Sequence, residues 1–471
     1  MKKRRKYASG SITVLLSLAM SIILIMTTAL TELARTTIIK ARIAMDCENA
    51  MGSILAEYNR PLLERYNIFG LDGAYGGSSF NSKKISERMK EYMPGLRGEA
   101  GLALSYGGDI TLDNFLFLTD KCGNEVYDQA VTYMKKAYGL DILAGLTDAS
   151  SLAEDCDDGE DEKEITSHGL GDEETGGILS SLGAIRSQSI LSQIFGGSGA
   201  VSSKSVEKGK LLTNRRSDLF KGAGISSKSL TEKLLFQEYL FKSFTCYTTA
   251  GKGKGEKGKE APHALDYEIE HIIAGKGKDK DNLAEVAKKL VRIREVVNFA
   301  YIQTDSAKVG EASMLAAVLC AATATPEAIE AVKQAILLAW AYAESICDVR
   351  TLLKGGKVPL MKTAATWKTG IMSIFNPGGT GVLNTNEGLD YETYLRALLF
   401  LRNEADKCGR AMDIMEANIR MTDKYGSFGM DRCLHGFSMQ GNFTVKHVFT
   451  AIGQSAMDFG GSISYEMLEK R

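Results

Sequence analysis

The sequence predicts an α+β protein with a helical majority, carried by a single N-terminal transmembrane helix that extends into an amphipathic stalk, followed by an extracytoplasmic domain with a few strands. Three observations predict it. A compact basic cluster precedes an apolar run, Ile12 to Leu30. Apolar residues recur at helical spacing through most of the chain from 264 to 421. Stretches of β-favouring residues are confined to 99–119 and to the region after 425.

The chain has 471 residues, enough for two or three domains with ample core. A hydrophobic content of 44% is that of a folded protein and excludes a multi-span transporter. The formal net charge is −1, so no bulk field draws the protein to nucleic acid, and no such partner is expected. Only six prolines stand against 48 glycines, and the glycines cluster, as between ordered helical segments.

Lys2, Lys3, Arg4, Arg5 and Lys6 form the basic cluster, and no charge follows from Tyr7 through Thr31. The 19 residues from Ile12 to Leu30 span about 28 Å as a helix, close to the roughly 30 Å hydrocarbon core. Ten of them are Leu, Ile or Val and together favour insertion by on the order of 5 kcal/mol. The five basic residues keep the N-terminus in the cytoplasm, so everything after Leu30 is expected outside the cell. A cleaved secretory signal is the competing reading, with Thr27 and Ala29 small enough for a cleavage site. Against it, the helical pattern runs on unbroken. Ile39, Ile43, Cys47, Ala50, Met51, Ile54, Leu55, Tyr58 and Leu62 recur at helical spacing, with Lys40, Arg42, Asp46, Glu48 and Glu57 mostly on the other side. One long helix is expected to leave the membrane and reach Glu57 or beyond, where Pro61 kinks it or opens a new helix.

Residues 99–119 read as a strand region, with Gly107-Gly108 marking a turn, and a helix is expected from about Glu125 to Tyr138. The chain then divides into a cytoplasmic basic leader (1–10), the transmembrane helix (11–31), the stalk (32–69), a small α/β region (70–145), a low-complexity, largely disordered insertion (146–230), a helical domain (231–424) and a strand-containing C-terminal region (425–471). The insertion holds the acidic run EDCDDGEDEKE and Gly/Ser-rich and Lys/Ser-rich stretches, which cannot bury enough apolar surface to offset ordering entropy, apart from a short helix around 178–195. Residues 150–176 in particular are expected to exchange freely.

In the helical domain, Asn282 is the expected N-cap of AEVAKKLVRIREVVNFAYI, with Glu285 completing a capping box. Thr325 caps the next helix with Pro326 at its first position, and Gly355-Gly356 ends it. That helix is apolar nearly all round at Trp340, so it is expected in the core; its uncharged part, Gln334 to Ala343, is too short to span a bilayer. A further helix is expected from Tyr391 to Met421, and NFTVKHVFTAIG and GGSISYEML read as strands.

Chemistry-bearing patterns are scarce. With Gly159 in the glycine slot of a calcium loop, Ile165 falls on a ligand position it cannot serve. GKGKGEKGKE matches the start of a phosphate loop at Gly253, Gly258 and Lys259, but Glu260 replaces the magnesium-binding hydroxyl. The eight cysteines form no CxxC pair, so no zinc ribbon is expected; buried thiols are the simpler reading, although disulfides are open to a domain outside the cell. Of the five histidines, His168 lies in the insertion, and His435 and His447 sit in strand-like surroundings with no paired carboxylate nearby in sequence. His271, after Glu268 and Glu270 in DYEIEHIIAGK, is the most enzyme-like cluster, but it lacks HExxH spacing and is expected at the surface or a domain boundary. No GxSxG elbow or GxGxxG turn occurs. No catalytic residue, cofactor, metal or small-molecule substrate is therefore expected.

GSITVLLSLAMSIILIMTTALTELAR, ILAEYNRPLLERYNIFGLD, DYEIEHIIAGK and ILLAWAYAESICDVRTLLKGGKVPLMK resemble the signature segments of a domain-of-unknown-function membrane-protein family of Gram-positive anaerobic bacteria, itself similar to the TadE-type pseudopilins of tight-adherence pilus systems. The resemblance implies a non-enzymatic, pilin-like component that joins or helps assemble a surface fibre, with the lipid bilayer and other pilus or secretion-system membrane proteins as partners. It implies prepilin-type processing between Gly10 and Ser11. The chain departs from the pilin pattern in having Leu15 where mature pilins carry Glu; Glu32 lies much farther along. The alternative is a surface-anchored binding or sensing domain unrelated to a fibre.

Overall fold

The computed structural model describes residues 10–101, 104–138, 183–196, 201–220, 224–225, 227–250, 262–321, 325–379, 387–449 and 454–465. The chain forms two compact units, Met1–Asp120 with Ser427–Arg471, and Lys121–Gly426. The expected mostly helical α+β class is found, with a four-stranded sheet.

The first unit is organised by α1, a continuous helix from Gly10 to Leu55. Its first part is apolar on all sides, and the hydroxyls of Ser17, Ser21, Thr27, Thr28 and Thr31 donate to carbonyls three or four residues earlier, so none is left unsatisfied. From Glu32 onward one face is buried: Ile39, Ile43, Cys47, Ala50 and Ile54 recur every three or four residues along it. Each aliphatic side chain there contributes about 1.5–3 kcal/mol by burial. The helix ends at Leu55, and Asn59 caps α2 (Arg60–Tyr66), with Pro61 in its first turn, so Pro61 opens a new helix.

That seam packs on an antiparallel sheet. Strand β1 is Leu71–Asp72, then come α3 (Ser82–Glu91) and β2 (Gly107–Phe117); β3 (Cys433–Lys446) and β4 (Gln454–Ser464) follow the second unit. β3 pairs with all the others: Leu71 with Leu434, Ile110 with Gly441, Phe443 with Met457. The core joins Ile39, Ile43 and Ile54 to Met439, Phe443 and Val445. Region 425–471 is thus not a separate piece, since its strands complete the sheet begun by β2. Gly107-Gly108 lies inside β2 rather than in a turn. Gly108 has φ +144°, and a Cβ there would stand 2.3 Å from the Asn442 carbonyl oxygen, so only glycine permits this strand pairing. β3 begins earlier than expected, and residues 447–449 lie beyond its end.

The second unit is helical. Its main elements are α4 (Asp120–Tyr138), α5 (Ile190–Phe195), α6 (Leu212–Arg215), α7 (Leu230–Ser243), α8 (Glu268–Ala274), α9 (Asp279–Thr304), α10 (Ser306–Leu319), α11 (Pro326–Leu353), α12 (Tyr391–Phe400) and α13 (Glu404–Arg420). Lys121, Cys122 and Gly123 all have positive φ, so regular helix in α4 starts at Asn124, near the expected Glu125. Thr325 caps α11 through the Ala328 amide as expected. Asn282 does not cap α9: the helix starts at Asp279, and the Asn282 side chain instead bonds the Lys276 amide and carbonyl. The expected single helix from Tyr391 to Met421 breaks at 401–403, where the Asn403 side chain caps α13 by accepting from the Ala405 amide.

The supposed disordered insertion is partly built in. Residues 150–176 lie outside the described residues. Ile190, Leu191, Ile194, Leu211 and Leu212, however, are buried. The Arg350 guanidinium donates to the carbonyls of Gln193 and Ile194, and Asp413 accepts from the Thr213 amide and hydroxyl. Composition missed this because a few apolar residues suffice where the receiving surface is already formed. The seven cysteines among the described residues are buried thiols; Cys156 is outside them.

Candidate functional site: the junction at Glu32 on the long helix

The first part of α1 is long and apolar enough to cross a membrane, and none of that window is buried against protein. Leu15 and Leu24 are among its exposed side chains. Gly10 is the first residue of the helix, with Ser11 in its first turn. Lys2, Lys3, Arg4, Arg5 and Lys6 lie outside the described residues.

Directly after this run comes a buried ionic cluster. Glu32 and Arg35 are 4% and 7% exposed, although both follow an apolar segment with no contact to protein. They point the same way as Ile39 and Ile43 because 32, 35, 39 and 43 share a helix face. The Arg35 Nη1 donates to Glu32 Oε1 at 2.7 Å and to the Lys446 carbonyl at 3.0 Å. Glu32 also takes the turn that follows β3: His447 Nδ1 lies 3.0 Å from Oε1, and the Val448 and Phe449 amides donate to Oε2 at 3.3 and 3.1 Å. Burial pushes the Glu32 carboxyl up, but the Phe449 amide, the His447 ring, the Val448 amide and Arg35 outweigh it, and the net shift is downward. One carboxylate thus fastens residues 447–449 to the helix where the apolar run ends. His447 does have a carboxylate partner, which the local sequence could not show because 415 residues separate the two. The available signal was Glu32 itself, a charge on the same face as the apolar seam.

Farther along α1, Asp46 Oδ2 accepts the Tyr106 hydroxyl at 2.9 Å and the Gly95 amide, while Oδ1 meets Arg42. Glu57, just past the helix, accepts Tyr75, Tyr92 and Arg88.

The DYEIEHIIAGK segment is not at a surface: Glu268, Glu270 and His271 on α8 are fully buried. Glu268 takes the Thr245 amide, His263 and the Asn418 amide group. Glu270 Oε1 takes the Tyr247 amide at 2.9 Å and the Tyr391 hydroxyl at 2.8 Å, and burial raises its pKa to about 7. His271 Nδ1 meets the Lys276 carbonyl, while Nε2 has no hydrogen bond and stands 4.0 Å from Asp413. These groups tie loops 245–249 and 262–264 and helix α13 to α8. A second buried network joins Lys362 to Glu344 at 2.5 Å and Asp348 at 2.6 Å, and Arg294 to Asp348 at 3.0 Å. Among the described residues no three His, Cys, Asp or Glu side chains converge on a point where a metal would sit.

No curated protein and no solved structure matches the chain. A family model does match, over residues 169–445, which takes in the polar centre of the second unit and runs through β3. With well over half of its residues matched, the chain belongs to the family of unknown function DUF5702.

Proposed function

We propose that the protein is a non-enzymatic, single-pass membrane component of a Tad-like pilus or secretion apparatus, pseudopilin-like in construction, with its N-terminus in the cytoplasm and both units outside the cell. One observation carries the reading: a single helix, α1, supplies both an uncovered apolar run of membrane length and the buried spine of a folded unit. A simple tether has no need of that continuity, whereas a fibre subunit transmits packing in the membrane directly to its ectodomain. Ser17, Ala19, Ser21, Thr27, Thr28 and Ala29 leave room for close helix approach in lipid. In this reading the buried carboxylates serve structure: Glu268 and Glu344 accept hydrogen bonds on both oxygens, and Glu270 accepts the Tyr247 amide and the Tyr391 hydroxyl on Oε1. Gly10 and Ser11 are the processing site in this reading.

A second reading, an anchored binding domain unrelated to a fibre, is favoured by a cleft of about 260 Å³ lined in part by Thr213, Asn214, Asp406, Arg410 and Asp413. Replacing residues 1–31 by an unrelated transmembrane helix of the same orientation separates the two. A fibre component loses co-purification with pilus proteins while still reaching the surface. Retained co-purification moves the preference to the binding domain.

A further inference from the structure

We infer that the residues just after β3 are a second membrane contact, with Val448 and Phe449 seated in the interfacial layer of the same bilayer that α1 crosses. The inference rests on the reading of α1 as a membrane span.

The geometry is set by Glu32. It lies two residues beyond Leu30, about 3 Å farther along the helix axis. The bilayer's interfacial layer extends roughly 5–7 Å beyond the hydrocarbon core on each side. Helical side chains lean toward the N-terminus, so the Glu32 carboxylate is directed back toward the apolar run. Val448 and Phe449 hang from that carboxylate by their own amides, at 3.3 and 3.1 Å. This fixes their depth to within a side-chain length of the end of the span. Neither side chain is buried: Val448 is 55% and Phe449 53% exposed, while Phe443 and Val445 on the adjoining strand are buried. Leu30 and Leu33 on α1 are likewise exposed, at 57% and 65%, so the turn extends the apolar surface of the span sideways. Charge is arranged to permit this depth. The Glu32 carboxylate is neutralised by Arg35 and covered by three further donors. The exposed Lys446 next to the turn has the long stem and terminal charge that reach a headgroup layer. The ligand is therefore a lipid surface, and the outcome is two-point attachment, which limits the tilt of the first unit against the membrane plane and its rotation about the axis of α1. A single helix alone does not.

The test places an environment-sensitive thiol fluorophore at Phe449→Cys, and separately at Val448→Cys, in the full chain with Cys156→Ser. The chain is reconstituted in phosphatidylcholine/phosphatidylglycerol vesicles that carry a nitroxide lipid. Leu24→Cys reports on the span. Lys84→Cys on α3, the helix whose Arg88 pairs with Glu57 near the far end of α1, reports on the aqueous side. The expected result is strong quenching at Leu24, none at Lys84, and quenching with a blue shift at Val448 or Phe449. Quenching at Leu24 with both turn positions behaving like Lys84 overturns this inference and leaves the span standing. No quenching at Leu24 overturns the span, and the inference with it.

Discussion

The Phe449 amide donates to the Glu32 carboxylate across 417 residues of sequence, and this bond marks where the apolar part of α1 gives way to the folded unit. Glu32→Ala removes the acceptor of two amides and the partner of a buried Arg35, at a cost of roughly 3 kcal/mol to the first unit. Amide exchange at Val448 and Phe449 should then accelerate while β3 stays protected. The downward-shifted carboxyl gives a pH dependence of known sign. Its contribution is present above the ordinary value of 4.5 and is lost as pH falls through the lowered folded value. Unchanged exchange in the variant, or at acid pH, would show that the turn is held by its strands alone.

Glu270 gives the opposite slope. Its folded pKa, about 7, stands above the ordinary 4.5, so the folded state holds the proton more tightly. Its contribution to the stability of the second unit is full below 4.5 and declines as pH rises toward 7, by on the order of 3 kcal/mol. Both tryptophans, Trp340 and Trp367, lie in this unit, so their fluorescence in urea titrations reports it. Glu270→Gln should flatten the profile; a variant that keeps the slope would assign it to another group.

Trp340 is 2% exposed, donates its indole N–H to the Thr369 carbonyl at 3.0 Å, and meets Trp367 edge to face. Trp340→Ala is expected to cost about 3–5 kcal/mol through lost burial and the cavity left behind. A loss below about 1 kcal/mol, read from the urea midpoint by circular dichroism, would mean that the helices close over the gap.

Lys362 sits between Glu344 and Asp348 with Arg294 beyond, all fully or nearly fully buried. Lys362→Met leaves two carboxylates with one cation and is expected to destabilise by about 3–5 kcal/mol. Adding Glu344→Gln should recover part of that loss. Equal losses in the single and double variants would place the energy in the lysine's packing rather than in its charge.

What the sequence revealed and what it hid follow one division. Periodicity and capping are local, so the seam of α1 from Ile39 to Ile54, the break at Pro61 and the Thr325 cap of α11 were legible. Pairings across the chain were not. Gly107-Gly108 looks like a turn until β3 lies beside it, and His447 looks solitary until Glu32 arrives. The DYEIEHIIAGK segment was misplaced for a related reason. Its charge suggests a surface, and only Thr245, Tyr247, Tyr391 and Asn418, drawn from three other parts of the chain, explain why two carboxylates can be buried there.

The strand at the centre of the sheet, β3, comes after the entire second unit, while α1 and β2 come before it. In a chain made from its N-terminus, all of 121–426 is available to fold before the first unit can close. Until then Ile39, Ile43 and Ile54 have no sheet to cover them, and a chain cut short before Cys433 never gains one. The apolar seam of α1 therefore works as a check on completeness. A finished molecule hides it, and an unfinished one presents a sticky helix to any chaperone or protease within reach.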